Sequence, residues 1–589
     1  MSTRISRRAL LTGGPLALAA CGTIDGAYFG KTDPPSSQRL VYLIGSEAGS
    51  LDPGKITGGY ERLIVAALFE GLTNPHPTTA QPIAALATHY EVNSDFTQYT
   101  FYLRGHPKPQ GIKFANTDTL PENFSRGRRA PPDTIPARWS DGNVITAHDF
   151  VYSWQRAADP ATATLQYGFY LLGLRNADQI FAGKLAPDTL GVRAVDDFTF
   201  QVDLVSPVSY FLQLTWSGIL AAVPRQAIEA AKLRGDESSW TEPAHMVTSG
   251  AFRLSQRRSY ERTVVRRNPR YYEAGLVALD EITFVPIASA TAGLNLYRTN
   301  SAHAMTGDRL PPLFTSTVER KKDAYSAPAF FHIHPFFNCR KPPFDSVLLR
   351  YAMNMATDKQ EMAGAFGKGR APAKTWVPPF NGYEPPDKIM VAIGGQHYDV
   401  LSFNPAAARE LLAKAGFPNG IGHNGVQLSF EYLIPDLPHS LPMAEILQQQ
   451  WRRNLNLSIR IVTQELTAYI NTLVSGRFVI AEDGCGDYQD PNTFLGVWET
   501  GAPLSAAWSE PEYDAMIRKA NSEVNPATRL KELRRCEEYL LRAMPLVPLL
   551  FYGYAGLQKP YVRGLGTNLF DVHPFKYAWI DTNWRPERS

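Results

Sequence analysis

Residues 428–462 hold the pattern that most restricts the fold. Leu428–Leu433 reads as a strand. Ala444–Leu455 spaces its apolar residues as a helix does, and Leu457–Val462 reads as a second strand. A strand–helix–strand series of this kind fits an α/β unit. Similar short elements fill the rest of the chain. Leu40–Ile44 reads as a buried strand. Tyr60–Gly71 reads as a helix with Leu63, Ile64, Ala67 and Leu68 on one face. Tyr90–Val92 and Tyr99–Leu103 are strands around the turn-prone Asn93-Ser94-Asp95. Ala147–Ala158 is a helix capped near Thr146 or Ala147, and Thr199–Leu204 alternates like a strand. Further strands are expected at 262–266, 281–286 and 546–552, and helices at 344–357, 406–415, 513–521 and 530–543. His106–Ala137 is rich in Pro, Arg, Asn and Asp and lacks periodicity. It is expected to be a long surface loop with little to bury.

With 589 residues the chain is too long for one compact core, so two or three domains are expected. Its 44% hydrophobic and 20% charged content is that of a soluble globular protein. The aromatics, 27 Tyr and 30 Phe, are mildly rich; most are expected in cores, and a polar-aromatic cleft would be one use for the others. The formal net charge is +3, and Arg4, Arg7 and Arg8 account for all of it. The remainder is neutral, which argues against a nucleic-acid partner. Arg126, Arg128 and Arg129 form a small basic cluster.

Those first arginines precede a short apolar run, Ala9–Ala20, too short to span a bilayer. Leu18-Ala19-Ala20-Cys21 then has the form of a lipoprotein processing site, with Cys21 as the lipid anchor. Ser6-Arg7-Arg8-Ala9-Leu10-Leu11 resembles a twin-arginine export signal. Residues 1–20 are thus expected to be a signal peptide and 21–38 a flexible tether. Besides Cys21 there are only Cys339, Cys485 and Cys536, with no CxxC pair, which excludes a disulfide framework and a cysteine zinc site.

No HExxH, GxSxG or Walker A motif is present. His332-Ile333-His334 would put two imidazoles on one face of a strand. No carboxylate or third ligand lies at close spacing, so a structural pair is expected rather than a metal site. No cofactor is implied, and the chain is read as a binding protein, not an enzyme.

A series of short blocks carries a resemblance. In order they include Ser50-Leu51-Asp52-Pro53, Trp139-Ser140-Asp141-Gly142 and Asp149-Phe150-Val151-Tyr152-Ser153-Trp154-Gln155-Arg156. Later come Arg267-Asn268-Pro269-Arg270-Tyr271-Tyr272, Ala352-Met353-Asn354-Met355-Ala356-Thr357-Asp358 and Cys485-Gly486-Asp487-Tyr488. Their order across about residues 40–580 resembles the large periplasmic oligopeptide- and dipeptide-binding family. The resemblance implies an α/β fold of two lobes joined by crossing hinge strands, with an additional domain on one lobe. Lobe I would take 39–58, 230–330 and 555–589, the extra domain 59–229 with an inserted loop at 106–137, and lobe II 331–554. It implies a monomer that encloses short peptides between its lobes and delivers them to an ABC permease in the cytoplasmic membrane. A non-peptide solute (an opine-like compound, an oligosaccharide or a metal complex) is the alternative within the fold, and a cell-wall peptide hydrolase the alternative outside it.

The resemblance also points to site residues. Asp487 matches an acid that pairs with the peptide's N-terminal ammonium, and Gly484, Cys485, Gly486 and Tyr488 surround it. Tyr167 matches a cleft-lining segment. Glu47 matches a Glu whose partner in the family is an Arg; here Ala481 stands at that position, so Glu47 is expected to lack that partner. Gly484 stands where the family often has a Trp. Phe331 falls where the family has the disulfide partner of Cys485, so that bridge is expected to be absent unless Cys339 substitutes.

Overall fold

The structure, a computed structural model, describes residues 27–586 apart from 57, 163–170, 172, 306–316, 368, 381, 438, 487 and 503. Of the sequence-derived sites, Cys21, Tyr167 and Asp487 lie outside the described residues.

Two sheets organise the chain. The first strand, β1 (Arg39–Ile44), leads into α1 (Gly59–Leu68). Next come β2 (Ala87–Val92), β3 (Gln98–Leu103), β4 (Ile112–Lys113), α2 (Ala147–Ala158), β5 (Val192–Asp196) and β6 (Thr199–Asp203). The strands β4-β2-β3-β6-β5 form a five-stranded sheet in that order. The antiparallel strands β7 (Phe252–Arg258), β8 (Arg262–Arg267) and β9 (Glu281–Pro286) then return beside β1. After β10 (Ala304–Met305) and the long β11 (Ala324–Phe337) come α3 (Val347–Met355), β12 (Ser429–Pro435), α4 (Ser440–Leu455), β13 (Ser458–Gln464) and β14 (Ile480–Cys485). The chain closes through α5 (Pro511–Ser522), α6 (Pro526–Ala543) and β15 (Leu550–Gln558). The second sheet has eleven strands among the described residues: the path β13-β12-β14-β11-β15-β10-β1-β9-β8-β7, with the short strand Ala371–Pro372 paired to β15 off that path. In it β12 and β13 run parallel, joined by α4, which is the α/β unit expected from residues 428–462.

Two strands carry the chain across this sheet. The start of β11 pairs with β15 at Ala324–Pro328, and its end pairs with β14 at His332–Phe337. Between them the register shifts, and Phe330 donates its N–H to Leu569 instead of to a strand neighbour (2.8 Å). On either side lie separate cores. One spans residues 329–552 and includes Trp376, Trp451 and Trp498. A second spans residues 72–222, and a third joins β1 and α1 to residues 221–284 and 561–580. This is the mixed α/β, two-lobed arrangement with crossing strands that the resemblance implied.

Local sequence explains the elements that the blocks contain. In α2, Asp149 accepts from the Thr146 backbone N–H (2.8 Å), completing a capping box. Phe150 and Trp154 are fully buried on its inner face, and the Trp154 indole donates to the Leu220 carbonyl (2.9 Å). Arg156, two residues on, reaches Asp52 of the Ser-Leu-Asp-Pro turn with two bonds, 2.9 and 2.7 Å, both side chains being buried. The two blocks therefore meet as a buried, bidentate ion pair.

Three expectations are corrected. The strand expected at 546–552 begins at Leu550 and continues to Gln558; Pro545 and Pro548 have no N–H to donate and interrupt the ladder before it. Residues 106–137 do bury side chains. Phe114, Thr117, Leu120 and Phe124 are buried, Thr117 donates to Glu273 (2.8 Å), and Phe124 packs edge-on against Tyr577. Arg126 and Arg128 of its basic cluster donate to the carbonyls of Leu276 and Gly275. Its turns are satisfied by groups from distant parts of the chain, which no local periodicity could announce. Finally, the expected tether is docked from Ala27 onward: Phe29 donates to Asp323 (2.8 Å), and Lys31 donates to Arg298 (3.0 Å).

Candidate functional site

At the end of β14 the chain enters a turn held from two directions. Gly486 has φ 143°, and a Cβ there would lie 1.9 Å from the Phe330 carbonyl oxygen, so only glycine lets the turn approach the bulge in β11 so closely. Beyond it, Asp490 receives two bonds from Arg529 of α6, 2.7 and 3.0 Å, in a buried pair. Arg529 also donates to Asn521 (3.2 Å). These contacts tie the turn to the core of residues 329–552.

The opposite face of the turn meets the core of residues 72–222. The Tyr488 ring stacks on Tyr210, with centroids 4.5 Å apart and planes within 14°. Asn492 donates to both hydroxyls, at 3.1 Å to Tyr210 and 3.3 Å to Tyr488. Burial pushes both tyrosine pKa values upward, so both stay neutral, donating phenols. Alongside, Gln81 donates to Gln489 (2.7 Å) and accepts from Gln213 (2.8 Å). Gly486 and residues 488–492 thus form a polar, aromatic seam between two cores.

Of the residues expected at the site, Gly484, Cys485, Gly486 and Tyr488 lie together on this strand and turn. Cys485 is buried and in register with His332; it is a free thiol, as are Cys339 and Cys536. Phe331 fills the place expected for its partner, and Cys339 does not substitute. Glu47 is placed elsewhere: it accepts from the Tyr260 N–H (2.9 Å) and lies 3.9 Å from Arg257, so the β7–β8 hairpin supplies the partner that Ala481 cannot. Sequence reasoning missed Tyr210, Gln81, Gln213 and Arg529. None sits in a recognisable block, and only the fold brings them to the turn.

Further along β14, Glu482 is buried, and loss of water lifts its carboxyl to about 7. Asp483 beside it pushes the same way, while the Ser440 hydroxyl, which donates to it at 2.5 Å, opposes. His332 and His334 are fully buried edge-on against Trp376, with centroids 4.7 and 4.2 Å away. Burial holds His334 near 3 and His332 well below its ordinary value, so both are neutral core residues. Among the described residues no group of three His, Cys, Asp or Glu is placed to hold a metal ion.

The model of the bacterial extracellular solute-binding proteins, family 5 (middle), matches residues 136–505. The chain belongs to this family. Among its relatives, the periplasmic oligopeptide-binding protein OppA of Salmonella typhimurium is 32% identical over 542 residues, covering 90% of this chain and 89% of OppA. The solved murein tripeptide-binding protein MppA of Escherichia coli superposes with a TM-score of 0.74 at 27% identity, covering 93% of this chain and 99% of MppA. Haemophilus influenzae OppA in complex with the peptide RPPGFSPFR gives 0.73 at 25% identity, covering 93% and 100%. The family 5 blocks named above are here accounted for largely as structure: Asp52, Arg156 and Trp154 build the frame, and only the 484–488 block reaches the seam. Family 5 relatives of this chain are extracytoplasmic binding proteins.

Proposed function

We propose that this protein is the solute-binding component of an ABC importer and that it captures short peptides in the seam between its lobes. The observation that carries the reading is the turn 486–492, pinned to one core by Asp490–Arg529 and stacked on the other by Tyr488–Tyr210. A ligand at this turn is enclosed when the lobes close, and the closed shape is what a permease docks. The near full-length likeness to a relative solved in complex with a peptide supports the ligand class. Backbone bonding to strands along the seam provides affinity with little sequence preference. The chain performs no chemistry in this reading. It acts as a monomer, exported with the segment 1–20 by the twin-arginine route and held at the membrane by lipid on Cys21.

Asp487 is assigned the peptide's ammonium group. A buried ammonium needs an anion, and losing one side of a buried pair costs roughly 3–5 kcal/mol. Isothermal titration of wild type and Asp487→Ala with free and N-acetylated peptide tests this. Either change alone is expected to weaken binding by about 10²-fold or more, and the two together no further. Equal affinity for free and acetylated peptide would sink the anchor. Loss on mutation without any effect of acetylation would transfer the site to a non-peptide solute.

A further inference from the structure

A cavity of about 710 Å³ opens on the face where the N-terminal segment docks. Lys322, Arg563 and Arg585 stand exposed in its lining. Among the described residues none of the three is held in an ion pair, and the one acid of the lining is turned inward. Asp323 spends one oxygen on the Phe29 N–H (2.8 Å) and the other on the Tyr297 hydroxyl (2.8 Å). Lys559, also in the lining, is buried and donates to the carbonyls of Lys31 (2.6 Å) and Phe29 (3.4 Å), so it clamps the N-terminal segment and leaves the mouth to the other three. Tyr28 and Trp584 meet edge to face at this rim, 5.5 Å between centroids.

The position of this mouth is constrained by the chain itself. Ala27 accepts from the Lys322 N–H (3.3 Å), and Cys21 lies six residues earlier in sequence. Six residues reach at most about 20 Å. A lipid on Cys21 therefore keeps the cavity within roughly two nanometres of the bilayer surface. Three exposed cations and a Tyr–Trp pair are the residue types that bind anionic headgroups and settle at a membrane interface.

We infer that this cavity is a docking site for anionic phospholipid headgroups, which holds the body of the lipid-anchored protein in one orientation on its membrane. The inference rests on the lipid-anchor reading, and the test separates the two. Lipidated protein is floated with vesicles of phosphatidylcholine alone or with added phosphatidylglycerol, and amide deuterium exchange is followed at 320–325 and 559–565. Flotation with the neutral vesicles reports the anchor. Protection of the two segments on the anionic vesicles only, abolished by high salt, reports the docking site. The variant Lys322→Gln/Arg563→Gln/Arg585→Gln is expected to float as wild type and melt at the same temperature while losing the protection, with docking weakened about fivefold per charge removed. Protection that is absent, or equal on both vesicles, overturns the inference while leaving the anchor standing. Equal protection by inorganic phosphate without vesicles overturns it in favour of a soluble anion. If neutral vesicles fail to float the protein, the anchor reading falls; protection on added anionic vesicles then still supports the docking site, and its absence overturns it.

Discussion

The ring of Phe331 occupies the space that a side chain at residue 484 would enter: a Cβ on Gly484 would lie 2.6 Å from its Cζ atom. The two positions sit on neighbouring strands, β11 and β14. The two positions that the resemblance marks as departures, Gly484 and Phe331, therefore share one space. The bulk is delivered from β11 instead of from β14.

This shared space predicts coupling. Gly484→Trp alone overpacks the site and is expected to destabilise the protein by roughly 1–3 kcal/mol. Adding Phe331→Ala makes room and is expected to recover most of that loss, a coupling of about 1 kcal/mol or more. Urea unfolding of the two single variants and the double variant measures it. Additive losses would show that the two side chains do not share one space.

The 106–137 segment is expected to contribute to stability through Asp133. This carboxylate lies 3.5 Å from Arg104, whose side chain is fully buried, and 2.8 Å from Lys113. Asp133→Ala leaves Arg104 buried beside the Tyr272 ring (4.1 Å) and the Ala85 carbonyl (2.7 Å), without its nearest carboxylate. Those remaining contacts and the partial exposure of Asp133 reduce the usual loss for a broken buried pair, so a destabilisation of about 2–3 kcal/mol is expected. A change within about 0.5 kcal/mol, the range of ordinary surface substitutions, would refute the role.

Glu482 gives the protein a pH dependence of known sign. Its carboxyl is raised to about 7 from an ordinary 4.5, chiefly by burial. Between those values the folded chain holds a proton that the unfolded chain has released. The contribution of Glu482 to stability is therefore full below about pH 4.5 and is lost as pH rises through 7, an amount on the order of 3 kcal/mol. Glu537, buried and also raised to about 7, contributes a parallel slope. The comparison that isolates Glu482 is Glu482→Gln, which is expected to match wild type near pH 4 and to be the more stable of the two at pH 8. Identical pH profiles for the two proteins would exclude Glu482 as a source of the slope.

Much of the fold was legible from local pattern. The β12–α4–β13 unit, the capped helix α2 and the β2–β3 hairpin of the smaller sheet announce themselves through apolar spacing and turn residues. The long β11 did not. Pro328 and Pro335 interrupt its sequence, and it survives as a strand because a register shift and pairing with β15 and β14 absorb the missing donors. The site was half legible. Gly484 to Tyr488 stand in one block, but Tyr210, Gln81 and Arg529 lie far from it in sequence and gain their roles only through packing. Residues 106–137 misled for the same reason: their buried side chains find partners at Glu273, Leu276 and Tyr577, more than a hundred residues away.

The Asp490–Arg529 pair has a consequence for how ligands are ranked. Because two parallel bonds from a helix hold Asp490, the backbone at that residue is fixed before any solute arrives. A solute need not immobilise it, so the conformational entropy lost on binding falls mainly on the solute itself. Among flexible solutes, each added rotatable bond then weakens affinity by its own freezing entropy, and short or stiff ones gain the advantage.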